Sequence, residues 1–143
     1  MKAMVMVAVV FLLGSGVEGA EVCAALGDTE STLTQKLGAP EKRQSGGVGE
    51  TLLFNRNLYC VAVVMHKERA CRISYKRLDG RKLTTKEMDW ILSANVQGGE
   101  WEMKKDDTIV RTDGAKGYFS GLSFVLYARE FMDASIAADK ARR

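Results

Sequence analysis

The stretch Thr51–Lys76 reads TLLFNRNLYCVAVVMHKERACRISYK and decides the fold of this chain. Two apolar runs within it, Leu58–Met65 and Ala70–Lys76, are rich in β-branched and aromatic residues, and the charged segment His66–Arg69 separates them. Such runs, bounded by polar residues, are typical of β-strands. We therefore expect a β-hairpin at the centre of a sheet, with a four-residue loop at its tip.

The position of the loop sets the pairing of the cysteines. A loop at His66–Arg69 places Val64 opposite Cys71 and Cys60 opposite Tyr75. The two sulfurs then lie roughly 13 Å apart along the strands, at about 3.3 Å per residue. Because a disulfide needs Cα atoms within about 7 Å, we expect no bond between Cys60 and Cys71. Cys23, on an expected flexible lead, is the one thiol that could reach another.

The residues before the hairpin predict a short helix, a loop and a first strand. Asp28–Leu37 has Thr29 as a candidate N-cap and is followed by glycine and, two residues later, by proline, which end helices. Glu41–Glu50 contains several glycines and mixed charge, so we expect a loop there. Thr51–Phe54 is the first predicted strand, and Asn55–Asn57 is a predicted tight turn.

The residues after the hairpin predict a second helix, a second set of strands and a third helix. Thr84 and Glu87 have the spacing of a capping box, and the helix that they begin runs to about Asn95, with Met88, Ile91 and Leu92 buried. Turn-forming residues then divide the chain into short strands. The predicted elements are Trp101–Met103, Thr108–Thr112, Gly117–Phe119 and Leu122–Tyr127, followed by a helix from Ala128 to about Ala141.

The order of these elements predicts an α+β fold: helix, three strands, helix, about four strands, helix. Runs of strands joined by tight turns favour an antiparallel meander, with the helices packed on one face to form two layers. The two units of helix plus meander suggest an imperfect structural duplication. We expect a single domain over residues 20–143.

The first twenty residues resemble a secretory signal peptide. Lys2 precedes the uninterrupted apolar run Ala3–Leu13, and small residues follow it. Cleavage after Gly19 assigns residues 1–19 to the signal and predicts a periplasmic or secreted protein. The glutamate and valine before Cys23 do not fit a lipoprotein signal, so we expect no lipid anchor and no transmembrane segment after cleavage.

Composition limits the possible chemistry. The chain has three cysteines and one histidine, His66, so it lacks the residues of the common zinc sites. We predict no catalytic, metal or cofactor site and no cofactor. A Cys60–His66 or Cys71–His66 nucleophile pair is the enzymatic alternative, although cysteines within apolar strands are usually inert. A net charge of +3 is too small to indicate nucleic-acid binding.

A basic segment supplies the candidate binding surface. Alternation along the second hairpin strand places Arg72, Ser74 and Lys76 on one face. The residues that we select as candidates are Arg72, Lys76, Arg77 and Trp90. Such a patch suits anionic lipid head groups, a cell-wall polymer or an acidic protein, and the alternative is a solvated sheet face without a partner. We expect Trp101 in the core and Trp90 as an exposed anchor.

One segment resembles a known family. The order Gly27, Thr29, Leu33, Leu37, Gly38, Pro40 is similar to the opening signature of the BamE (SmpA/OmlA) domain, a small exported α+β module that helps to assemble outer-membrane proteins. The resemblance covers about a tenth of the chain. The remainder is similar to small exported bacterial proteins with no assigned activity.

These observations lead to one leading function and two alternatives. The leading prediction is a non-enzymatic envelope protein that binds another macromolecule, with a possible role in outer-membrane assembly or as a scaffold. Its partner would be an envelope protein or an anionic envelope surface, and the oligomeric state is left open. The alternatives are a secreted inhibitor of a hydrolase and a thiol-dependent enzyme.

Overall fold

A computed structural model of the chain describes residues 23–142, and the predicted signal peptide lies outside them. The described part is an α+β fold built on one antiparallel sheet, as predicted. The helices are α1 Glu30–Leu37, α2 Thr85–Ser93 and α3 Arg129–Arg142. The strands are β1 Lys42–Ser45, β2 Glu50–Arg56, β3 Tyr59–His66, β4 Arg69–Arg77, β5 Trp101–Met103, β6 Ile109–Arg111, β7 Lys116–Ser120 and β8 Ser123–Tyr127.

The eight strands form a single sheet in the order β1-β2-β3-β4-β8-β7-β6-β5. Each half of the sheet is a four-strand meander preceded by a helix. The last strands of the two meanders, β4 and β8, pair antiparallel at the centre, where Ile73 lies opposite Leu126. The element order therefore repeats, with the β4–β8 pair joining the two halves.

Local capping explains where α1 and α2 begin. The Thr29 side chain accepts a hydrogen bond from the Thr32 backbone at the start of α1. At the start of α2, Thr84 and Glu87 form the complete capping box, each side chain bonded to the other residue's backbone. Both caps satisfy backbone N–H groups that the first turn of a helix leaves without partners.

One strand was not predicted, and one turn was placed too early. β1, Lys42–Ser45, lies within the segment expected to be a loop and forms an edge of the sheet. All four of its residues are exposed, so it shows no alternation of apolar and polar residues. β2 continues through Arg56, and the turn to β3 is made by Asn57 and Leu58 rather than by Asn55–Asn57.

The central hairpin has a shorter turn than expected. The strands continue until His66 pairs with Arg69, so the loop is Lys67–Glu68 rather than the four-residue segment. Both loop residues have positive φ, 52° and 65°, as a two-residue type I′ turn requires. Met65 pairs with Ala70, as expected.

A β-bulge next to this turn changes the register of the hairpin. Val64 pairs with Arg72, so Cys71 is an extra residue on β4. Cys60 therefore lies opposite Lys76, one residue out of the expected register. The Cys71 side chain is fully buried, and its thiol donates a 3.4 Å hydrogen bond to the Val64 carbonyl.

The main core lies between the sheet and the first two helices. Leu33 and Leu37 of α1 and Ile91 of α2 are buried there against strand residues such as Phe54 and Tyr75. The third helix departs from the expectation that all helices share one face. Phe131 of α3 packs against Tyr127 and Arg72, whose side chains lie on the opposite face of the sheet from the core.

The segment before α1 is part of the core, rather than a flexible lead. Cys23 to Leu26 are all buried, and the Tyr75 hydroxyl donates a 2.6 Å hydrogen bond to the Ala24 carbonyl. Asn95 binds the same segment through its amide, which donates to Ala24 and accepts from Leu26. These buried contacts fix the start of the described chain between the sheet and α2.

Candidate functional site

The candidate site is the open face, defined as the strand side chains that point away from α1 and α2. On β4, Arg72, Ser74 and Lys76 lie on this face, while Ile73 and Tyr75 between them are buried on the core side. This alternation is the one predicted from the sequence. Because β4 and β8 are the central pair, the face extends over both halves of the sheet.

The open face carries mainly positive charge. The strand pairing places four cations on it: Lys42, Arg72, Lys76 and Lys116. Among the described strands its only carboxylate is Glu102, at the far edge, and Glu102 forms a 2.5 Å ion pair with Lys104. The sheet residues between these cations are apolar or uncharged, including Leu53, Ala62, Val64, Val125 and Tyr118.

A row of aromatic rings crosses the centre of the face. The rings of Tyr118 and Tyr127 meet edge to face at 5.7 Å, and Tyr127 is followed by Phe131 of α3 at 6.0 Å. The Arg72 guanidinium lies 5.9 Å from the Phe131 ring centroid. The start of α3 is thus held on the face by ring contacts, while Met132, the next residue, is exposed.

A cleft of about 440 Å³ opens beside these rings. Its walls include the apolar side chain of Val110, both tyrosines, two lysines, Lys104 and Lys116, and one carboxylate, Asp106, which accepts a hydrogen bond from the Thr108 backbone. Burial, and to a smaller extent the electrostatic effect of the neighbouring Tyr118, raises the pKa of Tyr127. The Tyr127 hydroxyl therefore stays protonated at neutral pH. The cleft can therefore offer hydroxyl donors and ammonium groups to an acidic ligand.

The structure does not bring all four predicted site residues together. Arg72 and Lys76 share the open face, but Arg77 alternates with them and lies on the helix side. Arg77 forms ion pairs with Asp79 at 2.6 Å and with the buried Glu87 at 2.7 Å. Its role is to hold α2 against β4, so it is not available as part of the same binding surface.

Trp90 is also on the helix side. It is half-buried and packs against the core, and the Lys86 ammonium lies 5.9 Å from its ring centroid. The expectation of an exposed anchor at Trp90 is wrong, because the core reaches further around α2 than its apolar spacing indicates. Trp101 packs against the core as expected, and its Nε1 donates to the Asn95 carbonyl.

The proposed thiol pairs are not assembled. Cys60 and His66 are six residues apart on β3, or roughly 20 Å at about 3.3 Å per residue. The His66 Nδ1 lies 3.2 Å from the Val48 carbonyl, whereas the Cys71 thiol donates to Val64. Burial raises the pKa of Cys71 to about 11, which keeps the thiol protonated at neutral pH.

The described residues contain neither a metal-binding cluster nor a membrane-spanning helix. Within residues 23–142, no group of three or more His, Cys, Asp or Glu side chains is placed to hold a metal ion. None of the helices in this range is both long and apolar enough to cross a membrane. No protein-family model, curated protein or solved structure matches the chain, so the resemblance to the BamE domain remains a prediction.

Sequence reasoning missed half of the open face. Lys42 lies on the strand that was taken for a loop, and Lys116 was not considered, because the predicted strand began one residue later, at Gly117. The alternation of Lys116, Tyr118 and Ser120 along β7 was the available signal. The position of β7 near β4 could not be predicted, because only the β4–β8 pairing brings the two meanders together.

Proposed function

We propose that the protein is a non-enzymatic envelope protein that binds an acidic macromolecule through the open face. The observation that carries the proposal is the charge of this face: four cations surround apolar and hydroxyl-bearing positions, and Glu102, the one carboxylate on its described strands, is already paired. Complementary charge speeds encounter and rejects partners of like charge. The partner that fits is an acidic surface of another envelope protein.

The aromatic row supports a specific contact over a diffuse ionic one. Tyrosine and arginine are the residues that most often supply binding energy at protein interfaces. Tyr118, Tyr127 and Arg72 lie together at the centre of the face. A partner that places a carboxylate in the adjacent cleft would meet the Lys116 ammonium and tyrosine hydroxyls at once.

Export without a lipid anchor is part of the same proposal. The signal-like segment supports export, and the environment of Cys23 is consistent with an unmodified thiol. Its side chain is only 4% exposed within the core, where an attached diacylglycerol would displace neighbouring side chains. This burial supports a soluble periplasmic or secreted chain.

Capture from envelope extract tests the proposal. The processed chain, immobilised, should retain a partner that is lost when Lys42, Lys76 and Lys116 are all changed to glutamate. All three side chains are exposed, so each change should alter the free energy of unfolding by no more than about 0.5 kcal/mol. Identification of the captured protein separates an assembly component from a hydrolase, which the inhibitor alternative requires.

A matched variant controls for net charge. Lys67, Lys86 and Lys140 are also exposed but do not lie on the open-face strands, and changing all three to glutamate gives the same change in net charge. This control variant should still capture the partner. Equal capture by both variants would show that the open face is a solvated surface.

A further inference from the structure

Three exposed leucines lie at one end of the sheet, outside the open face. Leu58 is 54% exposed on the β2–β3 turn, Leu78 is 53% exposed just after β4, and Leu122 is 45% exposed on the β7–β8 turn. Leucines usually contribute to a core, and here the core lies further along the same strands. Three exposed leucines at adjacent strand ends therefore need an explanation.

The strand pairing places the three leucines side by side. The Leu78 backbone N–H donates a 2.7 Å hydrogen bond to the Leu58 carbonyl, which joins the first two. β4 runs towards this end and β8 starts from it, with Tyr75 opposite Phe124 as their last pair. Leu122 comes two residues before Phe124, so it lies beside the residues that follow Tyr75.

Cations surround the leucines. Arg81 and Lys82 follow the turn after Leu78. The Lys82 ammonium lies 4.3 Å from the ring centroid of Phe119, on the strand that leads to Leu122. Positive charge thus extends from one leucine turn to the next.

The two carboxylates in this region share one arginine, and the segment 77–87 has four cations against them. Asp79 and Glu87 are the only acidic residues between positions 76 and 88, and both form ion pairs with Arg77. The next acidic residue, Asp89, follows in the middle of α2. The leucine end of the sheet therefore presents aliphatic tips within an unbalanced positive field.

We propose that this end of the sheet docks on an anionic lipid surface, with the three leucines at the boundary between head groups and acyl chains. Aliphatic side chains flanked by lysine and arginine are the combination that binds peripheral proteins to anionic bilayers. A protein partner is the weaker fit, because leucine is under-represented among the residues that dominate protein interfaces. The inference is independent of the open face, which lies along the strands rather than at their ends.

Vesicle co-sedimentation tests this inference. The chain from Ala20 onwards is used, since residues 23–142 contain the whole sheet and the apolar run Ala3–Leu13 would bind lipid by itself. The chain should bind vesicles containing phosphatidylglycerol and not vesicles of phosphatidylcholine alone. Changing Leu58, Leu78 and Leu122 to serine should weaken binding roughly tenfold or more, since partitioning scales with the apolar area inserted.

Two further variants separate apolar insertion from charge and from loss of folding. Val96, Met103 and Ile136 are 51–63% exposed elsewhere, and changing all three to serine should leave vesicle binding unchanged. The Arg81→Gln and Lys82→Gln double variant should weaken binding and reduce its dependence on salt. Its melting temperature, and that of the leucine variant, should match the parent chain.

Either of two results would overturn the inference. One is that the parent chain does not sediment with phosphatidylglycerol vesicles. The other is that the leucine variant binds them as well as the parent does and that polyglutamate competes fully, which would show a charge-only contact with acidic polymers. Neither result would bear on capture through the open face, whose test variants leave the leucines intact.

Discussion

The Asn95 side-chain oxygen accepts a 2.7 Å hydrogen bond from the backbone N–H of Leu26, 69 residues earlier in the chain. The same amide donates to the carbonyls of Ala24 and Ile91, and all three hydrogen bonds are buried. The backbone carbonyl of Asn95 accepts two further hydrogen bonds, from the Trp101 indole and from the Arg111 guanidinium. One fully buried residue thus connects the start of the described chain, α2 and the second meander.

Replacing Asn95 with leucine should destabilise the fold strongly. The change keeps a similar volume but leaves the buried Leu26 N–H without its acceptor, at about 1–3 kcal/mol, and removes one hydrogen bond, worth roughly 1 kcal/mol, from each of the Ala24 and Ile91 carbonyls. We expect a loss of about 3 kcal/mol in the free energy of unfolding, measured by urea denaturation. Ser93→Ala, at the exposed end of α2, is the control and should change it little. A loss below about 1 kcal/mol for Asn95→Leu would contradict the bonding described here.

The pH dependence of the free energy of unfolding should show the contribution of the ionised Glu87 carboxylate. Burial alone would raise its pKa, but hydrogen bonds from the Thr84 backbone and the Tyr59 hydroxyl, and the charge of Arg77, outweigh burial and lower it. A carboxylate with a lowered pKa stabilises the fold above its unfolded pKa of about 4.3, and this contribution disappears as the pH falls through the folded value. Glu87→Gln should therefore cost about 2 kcal/mol at pH 7 and less at pH 3.

An exposed carboxylate supplies the comparison for Glu87. Glu102 also has an ion-pair partner, Lys104, but its side chain is 72% exposed. Glu102→Gln should change the free energy of unfolding by less than about 0.5 kcal/mol at either pH, because exposed ion pairs contribute little. If Glu87→Gln cost the same at pH 3 as at pH 7, the loss would come from packing and not from the charge.

The three thiols should differ in reactivity. Cys23 and Cys71 are buried, and burial raises the pKa of each to about 11, whereas Cys60 is half-buried on the open face. A thiol reagent at pH 8 should modify one cysteine rapidly in the folded protein and all three after denaturation without reductant. Cys60→Ser should remove the rapid phase. A Cys60–Cys71 crosslinked peptide after digestion would disprove the register of the hairpin.

Export should depend on the first residues of the chain. Residues Met1–Glu21 fused to a reporter that is active only after translocation should give a signal, because they have the basic, apolar and small-residue regions of a signal peptide. The mature chain, sequenced from its N-terminus, should begin near Ala20. Recovery of the uncleaved chain in the cytoplasm would refute the prediction of export, and a fatty-acid label on Cys23 would refute the soluble form.

The sequence predicted most of the elements, because most of them have strong local signals. The capping box at Thr84 and Glu87 and the apolar alternation of β3 and β4 are written in adjacent residues. β1 has no such signal, because an exposed edge strand needs only backbone pairing and can consist of polar residues. The bulge at Cys71 was equally hidden, since Ala70 and Cys71 are both small and either fits a buried position.

The candidate site was only partly predictable, for a different reason. Arg72 and Lys76 follow from alternation along one strand, and the structure confirms that they share a face. Arg77 looks the same in the sequence, and only its ion pair with Glu87, ten residues later, shows that it belongs to the helix side. The contribution of Lys116 and Tyr118 depends on the pairing of β4 with β8, which no local pattern specifies.

The pairing of β4 with β8 also sets the order in which the chain can complete its fold. The first meander consists of neighbours in sequence and can form hairpin by hairpin, but its inner edge, β4, must wait for a strand that begins 46 residues after β4 ends. A chain that is synthesised or exported N-terminus first therefore exposes the β4 edge, including Ile73 and Tyr75, until β8 up to Tyr127 is available for pairing. Long-range strand pairing of this kind is slow, and an open apolar edge invites association with other chains. The middle of this sheet is thus its last part to close, and the interval before closure is when a newly made chain most needs protection by a chaperone.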